Sequence, residues 1–394
     1  MNQGACAGQI KMKSVLFYSD AAEFGGHEAM TLEAIRCLCQ RSDIAVSAIF
    51  FEGNGRMRDE LSAIAKKTSG RLTLVPTTFR ARSLQAFRSL FSVRKTRQLQ
   101  SLMKGFEPDV IVVSQGRIES GSLGLLAAKR AGVRTISYLP MAHPVRISGS
   151  PVAVKLREIV NRYFYRLPDQ FITISESSRG MLLKHGFKGT TVVVSNGIDP
   201  KPLAESDRDT FRKEHAFTQS DYVVGVIGRI DFRQKAQDFA LRSISQFRHR
   251  LQGFKFLFVG DGPDVETLNA MIKNQGVSDI AQLIPWRESP AVYAGLDMLL
   301  ISSRFEGVPL VMLKAMSYKL PVVASASDGM AELLPQPWLF PFGDHQALVA
   351  RMLEVRNGDN RSLLERNQET IADRFTAARF CENMTAAVMD GVDV

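Results

Sequence analysis

The chain of 394 residues lacks any run approaching the ~20 apolar residues of a membrane-spanning helix. It has four cysteines, Cys6, Cys37, Cys39 and Cys381. Their spacings suit neither a zinc site nor a redox pair, so all four are expected as reduced thiols in a cytoplasmic protein. The N-terminus has no apolar core of a secretory signal, and residues 1–13 read as a flexible extension. No zinc-finger, RNA-binding or helix-turn-helix pattern stands out, so nucleic acid is not an expected partner despite a net charge of +10. That charge favours phosphorylated substrates or an acidic membrane surface. Short internal repeats and low-complexity tracts are also missing.

What is present is ordinary for a globular chain, with 45% hydrophobic and 23% charged residues. The length suits two or three domains. Continuous apolar runs at 14–19, 44–51, 109–114, 135–139, 170–175 and 191–195 predict buried parallel strands, with helical spacing between them at 28–40. The pattern restarts at Tyr222. Strands are expected at 222–228, 254–260, 281–285, 298–302, 321–324 and 338–340, and helices at 236–247 and 265–273. The fold class is therefore α/β, with two Rossmann-like doubly wound domains facing across a cleft. The expected boundaries are 14–198, 199–372, and a C-terminal helix at 373–394 packing back on the first domain. Ligands of such sheets bind beyond the carboxyl ends of the strands.

Several loops after strands carry candidate chemistry. Gly25 and Gly26 follow the first strand and open a helix, which suits a close-approaching anion or a plain tight turn. Arg229 and Lys235 bracket the loop after the strand at 222–228, where two cations suit a diphosphate or simply face water. No Walker-type Gly-Lys-Ser/Thr is present there. Gly260-Asp261-Gly262-Pro263 has turn chemistry first. Glu306 lies in a turn shaped by Gly307 and Pro309 before a helix that starts near Leu310 and carries Lys314. His143 follows the strand at 135–139, where a lone histidine is more often structural.

In their order and spacing these pieces resemble glycosyltransferase family 4, which has the GT-B fold. The resemblance rests on Gly228-Arg229 with Lys235, Gly-Asp-Gly-Pro at 260–263, Tyr293 with Asp297, Glu-Gly-Val-Pro at 306–309 and Pro-Val-Val-Ala-Ser at 321–325. In the first half it rests on Gly25-Gly26, Ser175-Glu176 and Val-Ser-Asn-Gly-Ile-Asp at 194–199. It implies a retaining transferase that takes sugar from a UDP- or GDP-linked donor to a glycan or lipid-linked acceptor in cell-surface polysaccharide or glycolipid assembly. It also implies no cofactor and no catalytic metal, and the one Asp-x-Asp, at 207–209, lies in a polar linker. Glu306 and His143 would be catalytic. Arg229, Lys235, Gly25, Gly26 and the backbone of Gly307, Val308, Pro309 and Leu310 would hold the donor diphosphate. Trp286, Arg287 and Glu288 are candidates for the base.

One departure stands out. The family's second Glu, eight positions after the first, is Lys314 here, and an ammonium has donors only. The alternative it raises is a catalytically weak relative acting as a binding or partner subunit. Epimerase and phosphorylase chemistry fit less well, since no dense carboxylate set and no pyridoxal-type lysine context are found. Finally, Arg80, Arg82, Arg88, Arg94, Lys95, Arg97 and Lys104 alternate with apolar residues. That pattern fits either a helix lying on anionic lipid at the inner membrane or one whose apolar side packs inward.

Overall fold

The computed structural model describes residues 12–142, 151–204, 206–287 and 290–391. Seven strands, β1 (Lys13–Ser19), β2 (Ile44–Phe51), β3 (Leu72–Thr77), β4 (Val110–Ser114), β5 (Arg134–Tyr138), β6 (Gln170–Thr173) and β7 (Thr190–Val193), form one parallel sheet in the order β3-β2-β1-β4-β5-β6-β7. Six more, β8 (Tyr222–Ile227), β9 (Phe254–Val259), β10 (Ala281–Ile284), β11 (Met298–Ile301), β12 (Val322–Ser325) and β13 (Leu339–Phe340), form a second in the order β10-β9-β8-β11-β12-β13. Both orders reverse direction next to their first strand, which is the doubly wound plan. The continuous apolar runs are explained by burial on both faces. Every residue of β4 and of β11 is buried, so no polar alternation is possible there.

The strand at Leu72–Thr77 had no counterpart in the sequence reading. It is an edge strand containing Pro76 and has only one fully buried residue, Leu72. A half-buried edge carries neither a continuous apolar run nor a proline-free ladder.

By contact, the chain up to Val194 and from Phe380 onward forms one unit, and Ser195–Arg379 forms the other. The crossing back is built into the last two helices, Arg361–Arg374 and Ala377–Met389. Between them, the Ile198 amide donates to the Phe375 carbonyl (2.8 Å) and the Ala377 amide donates to the Ile198 carbonyl (3.0 Å). Further on, Phe380, Met384 and Val388 are buried. Gln170 Nε2 donates to the Ala387 carbonyl (2.9 Å) and Arg134 Nη1 to the Val388 carbonyl (3.0 Å).

This return corrects the cysteine reading. Cys37, in helix Gly26–Gln40, is joined to Cys381 in a disulfide, with Cα atoms 5.2 Å apart. A separation of 344 residues leaves no spacing signal. Cys39 stays free and buried, and burial pushes its thiol up to about 11.

The basic segment divides into helices Gln85–Phe91 and Val93–Lys104. Leu99 and Met103 are buried, and Phe79, Phe87, Leu90 and Leu102 pack against the core, so most of its apolar side turns inward. Phe91, at 84% exposure, does not, and neither do Leu84 and Val93. Helix Pro151–Phe164 touches Gln85–Phe91 and exposes Val152, Leu156, Ile159 and Tyr163. These recur at helical spacing along one stripe. Among the described residues no helix is long and apolar enough to cross a membrane.

A disulfide closing so long a loop restricts the unfolded chain. Cys381→Ser is expected to lower stability by about 2–4 kcal/mol, read as a drop in calorimetric Tm under non-reducing conditions. The parent chain in dithiothreitol should fall to the same Tm. Equal Tm for parent and variant without reductant would show that the bond contributes nothing.

Candidate active site

β8 ends at Ile227 and the chain turns at Gly228. Asp231, 3% exposed, organises the loop that follows. Its carbonyl accepts the amides of Gln234 (3.2 Å) and Lys235 (2.7 Å), and its Oδ1 accepts the Arg233 amide (3.1 Å). The segment after β9 clamps this loop. The Ile230 amide donates to the Asp261 carbonyl (2.9 Å), and the Phe232 amide donates to Asp264 Oδ2 (2.8 Å). A Cβ on Gly260 would stand 1.9 Å from the Gly228 carbonyl oxygen, and one on Gly262 2.2 Å from that of Ile230. Both glycines are thus required by two backbones in contact.

The loop after β11 is locked to the same place by hydroxyls. Ser302 Oγ donates to the carbonyls of Lys235 (2.9 Å) and Ala236 (3.1 Å), and Ser325 Oγ donates to that of Ser303 (2.5 Å). Because β8 and β11 are neighbours in the sheet, these two loops meet at its switch point. There Lys235 Nζ forms an ion pair with Glu306 Oε1, and Ser303 Oγ donates to the same oxygen at 3.0 Å. Glu306 is 5% exposed, and its amide donates to Asp328 Oδ2 (3.3 Å). A buried carboxylate is tolerable only when paired and hydrogen-bonded in this way.

Helix Leu310–Ser317 starts directly beyond, with extended Pro309 as its cap residue and no side-chain cap bond. The amides of its first turn therefore offer the positive helix end. Pro309 has no amide hydrogen, so of the four residues expected to present amides only Gly307, Val308 and Leu310 can donate. Lys314 lies in the second turn, half-buried. Arg229 is exposed at the rim of the first loop, and its carbonyl accepts from Gln237 Nε2 (2.7 Å).

Of the candidates for the base, Trp286 and Arg287 lie in the segment after β10. The Trp286 amide donates to Asp261 Oδ2 (3.3 Å), which puts it beside the glycine loop. Arg287 pairs with Glu214 at 2.7 Å. His143 and Glu288 lie outside the described residues. Asp297 accepts from Arg212 (2.5 Å), Arg208 (2.6 Å) and the Val223 amide (2.7 Å). With Arg212 at 1% exposure, that cluster braces the fold.

In the first unit, Gly25 and Gly26 follow β1, and Glu28 Oε2 accepts the Gly25 amide at 2.9 Å. Two residues missed in the sequence stand nearby. His27 Nε2 is 2.8 Å from Ser114 Oγ at the end of β4, and its ring centroid is 4.8 Å from that of Tyr138. Burial lowers its pKa to about 3, so the ring is neutral. Asp20, 2% exposed, accepts the Gly121 amide on Oδ1 (2.9 Å). Burial pushes its carboxyl up to about 7, against the opposing pull of the Gly121 bond. The available signal was position, since both follow β1 where that sheet also reverses.

Two Rossmann-like units with this strand order have the fold of the GT-B glycosyltransferases. Residues 24–201 match the family described as Glycosyltransferase Family 4, and residues 221–357 match the one described as Glycosyl transferases group 1. The chain belongs to this family of glycosyltransferases. It is 25% identical over 255 residues to the amylovoran biosynthesis glycosyltransferase AmsD of Erwinia amylovora, covering 62% of this chain and 69% of that one. To the 2-deoxystreptamine glucosyltransferase of Streptomyces kanamyceticus it is 26% identical over 297 residues, covering 70% and 75%. The chain spans about two thirds of the length of the first curated relatives it matches, 65% in one case and 62% in another. Anabaena HepE, solved in complex with UDP-glucose, superposes with a TM-score of 0.76 at 18% identity, covering 96% of this chain and 99% of that one. At that identity the likeness concerns the fold alone.

The Asp20 carboxyl supplies a pH test. The folded chain keeps its proton to about pH 7, whereas an unfolded Asp releases it near ~3.9. Between these values folding takes up a proton, so this group's contribution to stability declines as pH rises and levels off above about 7. The urea midpoint of the parent chain relative to Asp20→Asn is therefore expected to fall between pH 4.5 and 7.5. A difference independent of pH would contradict the buried, protonated carboxyl.

Proposed function

We propose that the protein is a retaining glycosyltransferase that moves a sugar from a UDP- or GDP-linked donor to a glycan or lipid-linked acceptor, in cell-surface polysaccharide or glycolipid assembly. The observation that carries this reading is the ion pair of half-buried Lys235 with buried Glu306 beside the uncapped start of helix Leu310–Ser317. Lys235 has three N–H donors, and Glu306 takes one. The others, with Arg229, would meet the charge that develops on the departing diphosphate, and the amides of Gly307, Val308 and Leu310 would add fixed dipoles. Charge supplied this way calls for no metal. Glu306, oriented by Lys235 and Ser303, would accept from a hydroxyl of the transferred sugar.

In the reaction the bond from the anomeric carbon to the phosphate oxygen breaks. The acceptor oxygen bonds to the same face, and its proton passes to the departing phosphate oxygen. Attack on the leaving-group face preserves configuration. Lys314 would donate to a ribose oxygen or a phosphate, where a carboxylate would have accepted.

A thermal-shift screen of UDP-, GDP- and ADP-sugars, followed by donor hydrolysis, tests this. One donor class should stabilise the chain. Lys235→Ala should weaken that donor by about 10- to 100-fold, the range of a lost hydrogen bond to a charged group. Lys314→Glu should weaken it too if the ammonium contacts the donor. Tighter binding would show that Lys314 had lost the contact, in favour of a weak relative acting as partner. Stabilisation by no nucleotide sugar would sink the transferase reading.

A lipid-linked acceptor would place the enzyme at a membrane. The exposed stripe Val152, Leu156, Ile159 and Tyr163, next to the basic helices, favours peripheral attachment. Vesicles containing anionic lipid should bind the protein and release it in salt, and Leu156→Glu should reduce binding several-fold. Equal binding to neutral vesicles would count against it.

A further inference from the structure

The first unit holds a cavity of about 390 Å³ that the donor chemistry above does not use. Its wall is cationic. Arg80, Arg82, Arg88 and Lys95 all line it, from the loop after β3 and the helices Gln85–Phe91 and Val93–Lys104. Arg88 Nε donates to the Ser83 carbonyl (3.1 Å), and none of the four cations has an ion-pair partner among the described residues. Elsewhere on this chain arginines pair readily, as with Arg157–Glu119, Arg208–Asp297 and Arg248–Asp279. All four are exposed, so water and salt screen their mutual repulsion in part, and an anion seated among them would relieve the rest.

The second observation is independent of the first. Asp20 also lines the cavity, and its Oδ2 is buried without a hydrogen-bond partner. A buried oxygen left unsatisfied is costly, and a ligand hydroxyl would satisfy it. The third element is aromatic. Phe79, Phe87 and Phe91 line the same hollow, and Phe91 is 84% exposed. Apolar rings set among polar groups suit the C–H face of a sugar.

We infer that this cavity seats an acidic sugar acceptor, with its phosphate or carboxylate among Arg80, Arg82, Arg88 and Lys95, a hydroxyl hydrogen-bonded to Asp20 Oδ2, and its ring against the phenylalanines. The inference rests on the transferase reading for the word acceptor, but the binding it describes does not. A bilayer surface would explain Phe91 and the outer cations. It would not reach Asp20, which is 2% exposed.

The test uses the full chain without donor, titrated with glucose 1-phosphate, glucuronate, glucose and inorganic phosphate and followed by NMR. At least one acidic sugar should bind ten-fold or more tighter than glucose. Whether that is the phosphate or the carboxylate distinguishes a phosphate-linked acceptor from an acidic glycan. Arg82→Ala and Lys95→Ala should each lower that affinity about ten-fold, with Arg82→Gln as a milder control for folding. Asp20→Asn should weaken the sugar phosphate but leave inorganic phosphate unchanged. Acidic sugars binding no better than glucose, or unaffected by the cation variants, would overturn the inference. So would cation variants that lose only their binding to anionic vesicles. If acidic sugars bind as expected and no nucleotide sugar supports transfer, the cavity stands and the transferase reading fails.

Discussion

The parallel pairing of β8 with β11 is the constraint on which the second unit depends. Parallel strands must be joined by crossovers, and where the winding reverses two loops leave neighbouring strands on opposite sides of the sheet. The gap they leave is lined by whatever follows each strand. Here that is the Gly228–Lys235 loop on one side and the Ser302–Glu306 loop on the other. The serine hydroxyls, the clamping glycines at 260 and 262, and the Lys235–Glu306 pair are all consequences of holding these two loops together. Remove the switch point and no local preference would place residues 71 positions apart within hydrogen-bonding reach.

The two units handle charge in opposite ways. In the second, a buried carboxylate is met by a lysine and a serine hydroxyl, so that carboxylate is paired before any ligand arrives. In the first, four exposed cations without an ion-pair partner among the described residues line one hollow with a buried carboxyl whose Oδ2 has no hydrogen-bond partner there. A preorganised pair suits a step in which charge develops during reaction. An unbalanced hollow suits a ligand that brings its own charge. On the proposed reading, the contrast divides donor chemistry from acceptor recognition between two sheets of the same winding.

The C-terminal return has its own logic. Helix Ala377–Met389 buries Phe380, Met384 and Val388, and the Cys37–Cys381 bond fastens it at its start. The last turns also satisfy polar groups of the first sheet, through Gln170 and Arg134. A segment that would otherwise fray is thereby made part of the core of a unit that ended, in sequence, almost two hundred residues earlier.

Much of this was legible in the sequence, and for a clear reason. Strands buried on both faces must be continuous in apolar residues, so β1, β2, β4, β8 and β9 announce themselves. Turn chemistry after such a strand is local, which is why Gly260 and Gly262 could be singled out, although the close backbone approach that requires them could not be read. Glu306 and Lys235 could be named as candidates from their places after strands, but not as partners, because a pair is a property of two positions brought together. The same limit hid the disulfide across 344 residues. It also hid Asp20, whose meaning comes from burial beside Gly121 and four distant cations, and it left open which way the apolar side of the basic helices would face. Periodicity and turn chemistry are local and can be read along the chain. Pairing, burial and uncompensated charge depend on neighbours in space, and only the tertiary structure decides them.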